Sequence, residues 1–335
     1  MTERKMPNNQ LILGIDTSNY TTSMALCDLD GSVVLNLKKL LPVSQGERGL
    51  RQSDALFAHT KNLPEIAEKL GAFLKESYPD GEIVAVGYSG TPRDAEGSYM
   101  PCFLSGVAAA SSVSAVLGCP SYSFSHQSGH IMAALYSAGR CDLLDGNEKF
   151  AAFHVSGGTT EMLLVTPCEN GFSVELVGGT KDINAGQAID RTGVMMGMSF
   201  PCGREMESLI SECDIPAVKT KISVNGLFCN LSGLENLTEK LYRECGDKAR
   251  VSAYCFDFVA DTLCRLTENL RAQEDNIPIV YAGGVMSNKR IGKRLMKYEN
   301  TYFSAPEFSS DNAAGTALLC RRRYLEERSV KGTSD

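Results

Sequence analysis

The chain lacks any apolar run long enough to cross a bilayer, which takes about 18 or more consecutive apolar residues. Its opening, Met-Thr-Glu-Arg-Lys-Met-Pro-Asn-Asn-Gln, is polar and has no apolar centre of the kind that marks a signal peptide. These two absences point to a cytoplasmic protein with no membrane attachment. None of the twelve cysteines forms a Cys-x-x-Cys pair, and Cys27, Cys255 and Cys264 lie in apolar segments. That pattern fits free buried thiols in a reducing compartment rather than a disulfide framework. Positive charge is not in excess: 33 Lys and Arg against 40 Asp and Glu give a net charge of -7. Broad, non-specific nucleic-acid binding is disfavoured, although Arg321-Arg322-Arg323 remains a candidate local basic patch. No His-Glu-x-x-His sequence and no evident nucleophile–base pair supports a peptidase.

What is present suggests an α/β protein in two lobes. A chain of 335 residues, 43% hydrophobic, can bury a large core and exceeds a typical single domain. The expected division is 10–135 for the first lobe, with a last helix over 311–326 returning to it. The second lobe spans 136–310 with a helical insertion at about 184–245. Residues 1–9 and 327–335 are expected as flexible tails.

Leu11–Asp16 reads as a buried strand ending in a carboxylate, followed by the hydroxyl-rich turn Thr17-Ser18-Asn19-Tyr20-Thr21-Thr22-Ser23. Met24–Asp28 and Ser32–Leu37 continue an antiparallel meander through the Asp30-Gly31 turn. Such a turn can hold phosphate through backbone amides and hydroxyls, and is also an ordinary hairpin. Residues 56–76 carry helical apolar spacing, with Pro64 as a boundary inside them. The second lobe opens the same way: the strand Phe150–Val155, the turn Ser156-Gly157-Gly158-Thr159-Thr160, and the strand Glu161–Val165. Two such hairpins resemble the plan of actin, hexokinase and the heat-shock-protein ATPases, in which paired turns grip a nucleotide in the cleft between lobes. Ile277–Tyr281 followed by Gly283-Gly284 repeats a strand and glycine turn of the kind that seats adenine in that plan.

His126 and His130 stand four residues apart. On a helix both rings share one face, a two-point metal grip that needs a third ligand. The same spacing also arises by chance, or when one histidine caps a helix. Asp311, placed in the first turn of the last helix behind Ser309 or Ser310, is the candidate third ligand, and an acidic residue there also favours the helix dipole. Asp190 projects from a helix and can accept ribose hydroxyls or simply face solvent.

Taken together, Gly14–Ser18, His126–His130, Val155–Gly158, Gly186–Arg191, Phe200–Gly203, Leu231–Gly233, Gly283–Val285 with Asn288, and Asp311-Asn312 resemble the TsaD-type transferase subunits of the tRNA threonylcarbamoyladenosine synthase family, formerly called glycoproteases. The resemblance covers nearly all of residues 11–325. It implies transfer of a threonylcarbamoyl group from an ATP-derived adenylate to the exocyclic amine of adenosine in tRNA. It implies one divalent metal ion, iron or zinc, on His126, His130 and Asp311. It implies nucleotide or substrate contacts at His154, Val155, Ser156, Gly157, Gly158, Asp190, Gly203 and Asn288, with Thr17, Ser18, Gly283 and Gly284 on the phosphate side. Expected partners are tRNA, a homologous non-catalytic subunit and a small ATPase. The chain departs from the family's pattern at Tyr20 and Thr21, where two acidic residues are usual, and at Gln127-Ser128, where a Glu is usual. It departs also at Thr159 (His), Gln187 (Glu), Glu235 (Lys) and the Gly90 loop. These changes around retained ligands also suit a divergent paralogue that binds nucleotide and metal as a regulatory subunit, or one that carbamoylates another acceptor.

Overall fold

The computed structural model describes residues 9–18, 20–42, 50–169, 171–213 and 215–332. They form two compact units: residues 1–136, 168–172 and 311–335 in one, 137–167 and 173–310 in the other.

In the first unit β1 (Gln10–Ser18), β2 (Thr21–Asp28) and β3 (Val33–Leu40) form the expected antiparallel meander. α1 (Gln52–Ser77) crosses to β4 (Glu82–Thr91), and α2 (Leu104–Leu117) to β5 (Ser121–Ser125). β4 and β5 add in parallel, giving the order β3-β2-β1-β4-β5. α3 (His126–Ser137) follows β5 with no intervening residue. Pro64 does not break α1, contrary to expectation: the helix runs through it. Leu63, Ile66 and Leu70 on its inner face are buried with Leu11, Leu13 and Ile15, and that packing outweighs the local cost of the proline.

The second unit repeats the plan. β6 (Phe150–Val155), β7 (Thr160–Cys168) and β8 (Gly171–Thr180) come first. α4 (Ala185–Met195), α5 (Gly203–Ser211), β9 (Ser223–Asn225), β10 (Phe228–Asn230), α6 (Gly233–Cys245) and the long α7 (Lys248–Arg271) follow. The stretch expected as a helical insertion thus also carries two short strands. β11 (Ile279–Ala282), α8 (Lys289–Leu295) and β12 (Thr301–Phe303) complete the unit. The sheet order is β12-β11-β6-β7-β8-β10-β9. Five consecutive strands from one edge, read as β8-β7-β6-β11-β12, match the first sheet, with β11 parallel to both β6 and β12. α7 buries one long apolar stripe, including Val251, Phe256, Val259, Leu263 and Leu270, in this unit's core.

The chain returns to the first unit in α9 (Ala314–Gly332). Two expectations change here. The helix continues to Gly332, so residues 327–332 are not a tail, while 1–8 and 333–335 lie outside the described residues. Asp311 lies three residues before the helix rather than in its first turn, and Asn312, not Ser309 or Ser310, accepts the Ala314 N–H at 3.0 Å. α9 meets α3 where Gly315 lies against the Gly129 carbonyl and Gly129 faces Thr316. A Cβ on Gly315 would stand 1.8 Å from the Gly129 carbonyl oxygen and 2.9 Å from the Ala133 nitrogen. Gly129 lies between the two α3 histidines and Gly315 lies just beyond Asp311, so this contact sets how closely the three approach.

Gly315→Ala therefore forces the two helices apart. The expected cost is about 1–3 kcal/mol in a urea unfolding titration, the range for overpacking a tight contact. Unchanged stability would mean that the contact is looser than described.

Candidate functional site

α3 and the approach to α9 bring together three potential ligand atoms of the first unit. His126 Nε2 and His130 Nε2 are 2.9 Å apart, and Asp311 Oδ1 lies 3.1 Å from His130 Nε2 and 3.6 Å from His126 Nε2. His126 is buried and the other two are partly buried, and all three ligand atoms lie within 4.8 Å of one another. Two imidazoles and one carboxylate suit iron(II) or zinc, both of which use such three-residue sets with open positions for other ligands.

Two bare nitrogen lone pairs repel at 2.9 Å, so either a ring N–H or a cation stands between them. The surroundings favour positive charge. Asp16, buried at the end of β1, accepts from His126 Nδ1 at 2.8 Å through Oδ2. Asp16 is itself held by Ser89 Oγ at 2.6 Å and by the Ser18 N–H at 2.8 Å. Burial lowers the His126 pKa, but Asp16 and Asp311 outweigh it and raise the value to about 10. Burial likewise works to raise the carboxyls of Asp16 and Asp311, and the histidines overcome it and hold both below the usual carboxylate range. The Asp16 bond fixes His126 with Nδ1–H outward and Nε2 toward the cluster, the arrangement that carboxylates impose on metal-bound histidines.

The resemblance pointed to Thr17 and Ser18 at this end of β1 but not to the side chain of Asp16. The available signal was an apolar strand ending in a carboxylate. Thr17 faces away: its Oγ1 donates to the Cys102 carbonyl at 3.1 Å and accepts from the Gly106 N–H at 3.1 Å. Asp94 also went unmarked. Its Oδ2 accepts from Ser125 Oγ at 2.7 Å and from Ser128 Oγ at 2.6 Å, and Ser125 Oγ caps α3 through the Ser128 N–H at 3.1 Å. A carboxylate thus stands beside position 128 although that position is a serine. His59 on α1 had no pattern to reveal it. It is fully buried, with Nδ1 2.9 Å from Thr22 Oγ1, and burial outweighs the influence of Asp16 and Asp311 to lower its pKa to about 4.

In the second unit the turn Ser156–Thr159 joins β6 to β7. Ser156 Oγ accepts from the Gly158 and Thr159 N–H groups at 3.2 and 3.1 Å, and Gly186 N–H donates to the Ser156 carbonyl at 3.0 Å. Gly186 packs so closely that a Cβ there would stand 2.6 Å from Gly157 Cα. Gly283, with φ 101°, packs on Val155 in the same way, so residues 155–158, 186 and 283 share one spot. His154 Nδ1 lies 3.3 Å from Thr159 Oγ1, which puts an imidazole next to position 159 without a histidine there. The remaining expected contacts are partly engaged elsewhere. Asp190 Oδ1 accepts the Cys202 N–H at 2.8 Å, which ties the turn before Gly203 to α4. Asn288 Oδ1 caps α8 through the Ile291 N–H at 3.0 Å. Arg191 pairs with Glu235 at 3.1 Å.

Two sheets of matching order, each opening on a hairpin, define an α/β protein of the actin, hexokinase and heat-shock-protein ATPase class. Full-length HypF in its phosphate- and nucleotide-bound form shares this fold, with a TM-score of 0.56 at 13% identity over 95% of this chain and 56% of that one. The family model for TsaD, tRNA N6-adenosine threonylcarbamoyltransferase, matches residues 44–318, and the chain belongs to that family, one of transferases acting on tRNA. Relatives bearing that enzyme name include one from Carboxydothermus hydrogenoformans, 28% identical over 94% of this chain and 93% of its own length. Another, from Streptococcus suis, is 27% identical over 96% and 95%.

The buried, neutral His59 makes stability depend on pH. Its folded pKa of about 4 lies below the ordinary 6.5, so between these values the unfolded chain binds the proton and the folded chain does not. The contribution is complete above pH 6.5 and is lost as pH falls toward 4, by up to about 3 kcal/mol at roughly 1.4 kcal/mol per pKa unit. Unfolding titrations at pH 7 and 4.5 should show wild-type protein losing more stability than His59→Gln. Equal losses would mean that His59 is not buried as a neutral ring.

Proposed function

We propose that this protein transfers the threonylcarbamoyl group from threonylcarbamoyl-adenylate to the exocyclic N6 of an adenosine in tRNA. Family membership supplies the reaction class. The single structural observation that supports its application here is the His126, His130 and Asp311 cluster braced by Asp16.

In this reading His126, His130 and Asp311 hold one iron or zinc ion. When bound, the ion supplies a Lewis acid for the carbamoyl or phosphate oxygen. Asp16 keeps the His126 lone pair aimed at the ion, and Ser89 keeps Asp16 in place. The Ser156–Gly158 turn, with Gly186 and Gly283 against it, lets the adenylate approach bare backbone at Gly157 and Gly158, while its Ser156 and Gly158 N–H groups are engaged within the turn, and His154, Asp190, Gly203 and Asn288 complete the contacts. The N6 nitrogen bonds to the carbamoyl carbon, the bond from that carbon to the phosphate oxygen breaks, AMP leaves with the electron pair, and N6 loses a proton. The protein acts in the cytoplasm with tRNA, a homologous non-catalytic subunit and a small ATPase. No helix among the described residues is long and apolar enough to cross a membrane.

A second reading draws on the Arg191–Glu235 pair, which uses a basic side chain internally and adds an acidic one where contact with RNA would favour positive charge. It keeps the nucleotide and metal sites but gives the protein another acceptor or a regulatory role.

The test is metal content together with transfer of labelled threonylcarbamoyl to unmodified tRNA, with partner subunits supplied. Wild type should bind about one ion and label tRNA, and His126→Ala should lose both, with transfer falling at least about 100-fold. Metal and nucleotide binding without labelling would transfer support to the second reading. Asp16→Asn removes the brace but no ligand, and should weaken metal affinity about 10- to 100-fold, as measured by chelator competition. Unchanged affinity would remove Asp16 from the site.

A further inference from the structure

α8 divides its residues among three faces. Ile291 and Leu295, one turn apart, are buried in the core of the second unit. Arg290 and Arg294, also one turn apart, turn toward α7. Arg290 donates through Nε and Nη2 to the two oxygens of Asp257, both at 2.8 Å, while Arg294 lies 3.1 Å from Asp257 and pairs with Asp261. The same four side chains hold the segment 215–220. Arg290 donates to the Ile215 and Pro216 carbonyls at 3.0 and 3.1 Å, and Arg294 to the Val218 carbonyl at 3.3 Å. Asp257 and Asp261 accept the Val218 and Thr220 N–H groups at 2.9 and 2.8 Å. Lys289 and Lys293 occupy the third face of α8, and both are exposed. So are Lys297, just beyond the helix, and Lys219, between the two anchored residues of the segment.

Asp257 and Asp261 match the charges of Arg290 and Arg294. The four lysines have no such match: none of their ammonium groups is paired with a carboxylate among the described residues. Glu207, the acidic neighbour at the head of α8, accepts the Lys289 backbone N–H at 2.8 Å. The whole chain carries a net charge of -7, so these lysines are a local positive excess on an acidic protein. The basic run Arg321–Arg323 differs, because Arg321 donates to the Leu29 carbonyl at 2.7 Å and Arg323 pairs with Glu327 at 3.0 Å. Asn288, assigned above to the adenylate, is the N-cap of α8, so Lys289 follows that contact directly. Cations of this kind position a nucleic acid through its phosphates without reading its sequence. Resting on the transferase reading, we propose that Lys289, Lys293, Lys297 and Lys219 form the surface that holds phosphates of the acceptor tRNA. The set of Asp257, Asp261, Arg290 and Arg294 places Lys219 on that surface by pinning the segment on both sides of it.

The test is binding of unmodified tRNA to the full-length protein, with partner subunits supplied, across a series of salt concentrations. Binding of a non-hydrolysable sulfamoyl analogue of threonylcarbamoyl-adenylate is measured alongside. Wild type is compared with a triple variant, Lys219→Gln with Lys293→Gln and Lys297→Gln, and with the same three positions changed by Lys→Arg. Losing three phosphate contacts should make the slope of log affinity against log salt shallower by about 2–3, at roughly 0.7–0.9 per contact, and weaken tRNA binding at least about tenfold at about 0.1 M salt. The arginine variant keeps the charge and should recover both. Analogue affinity should stay at the wild-type value in both variants, since these three lysines lie outside the adenylate contacts. A wild-type slope and affinity for tRNA in the glutamine variant would overturn the inference. So would an equal loss in Lys61→Gln with Lys75→Gln and Lys149→Gln, exposed lysines of other segments, because the effect would then be one of net charge. Competition by duplex DNA as strong as by tRNA at equal phosphate concentration would overturn the assignment to tRNA. If wild type binds the analogue but no tRNA, the tRNA-acceptor reading itself fails, and this inference with it.

Discussion

The close contact of Gly129 with Gly315 is the constraint on which the candidate metal site depends. Two residues without Cβ atoms let the backbone of α9 rest on the backbone of α3. His126 and His130 on one side of that contact and Asp311 on the other then reach a common point. The arrangement links a packing requirement to a chemical one: what shortens the helix separation also concentrates two imidazoles and a carboxylate.

Electrostatics completes what packing begins. Burying Asp16 without a partner would be costly. Its three hydrogen bonds, from His126, Ser89 and Ser18, offset that cost and at the same time fix the His126 ring. The hydroxyl-rich turn after β1 therefore has several separate tasks. Thr17 fastens β1 to the start of α2, Ser18 holds Asp16 through its amide, and Thr22 orients His59. A run that looks uniform in sequence divides its hydroxyls among different neighbours once the hairpin forms.

At two departures from the family's pattern a neighbouring side chain stands beside the changed residue. Thr159 stands where the family resemblance implies histidine, yet His154 brings an imidazole to within 3.3 Å of it from the adjoining strand. A glutamate is implied at Gln127-Ser128, and Asp94 supplies a carboxylate 2.6 Å from the Ser128 hydroxyl. Arg191 and Glu235 form a half-exposed ion pair with each other.

The strands at the head of each unit, the helix carrying His126 and His130, and the class of fold were legible along the chain, because alternating burial and helical spacing are local properties. The family motifs carried the reaction class for the same reason: each is a short, ordered set of residues. The continuity of α1 through Pro64 was not legible, since burial of Leu63, Ile66 and Leu70 against distant strands outweighed a local signal. Nor was the setting of Asp311, which depends on where α9 begins against α3. Asp16, Asp94 and His59 acquire their roles through partners 110, 34 and 37 positions away. Strand periodicity and motif spacing are written in neighbouring residues. Which buried oxygen meets which nitrogen was decided only when sheet order and helix contacts brought remote segments within hydrogen-bonding distance.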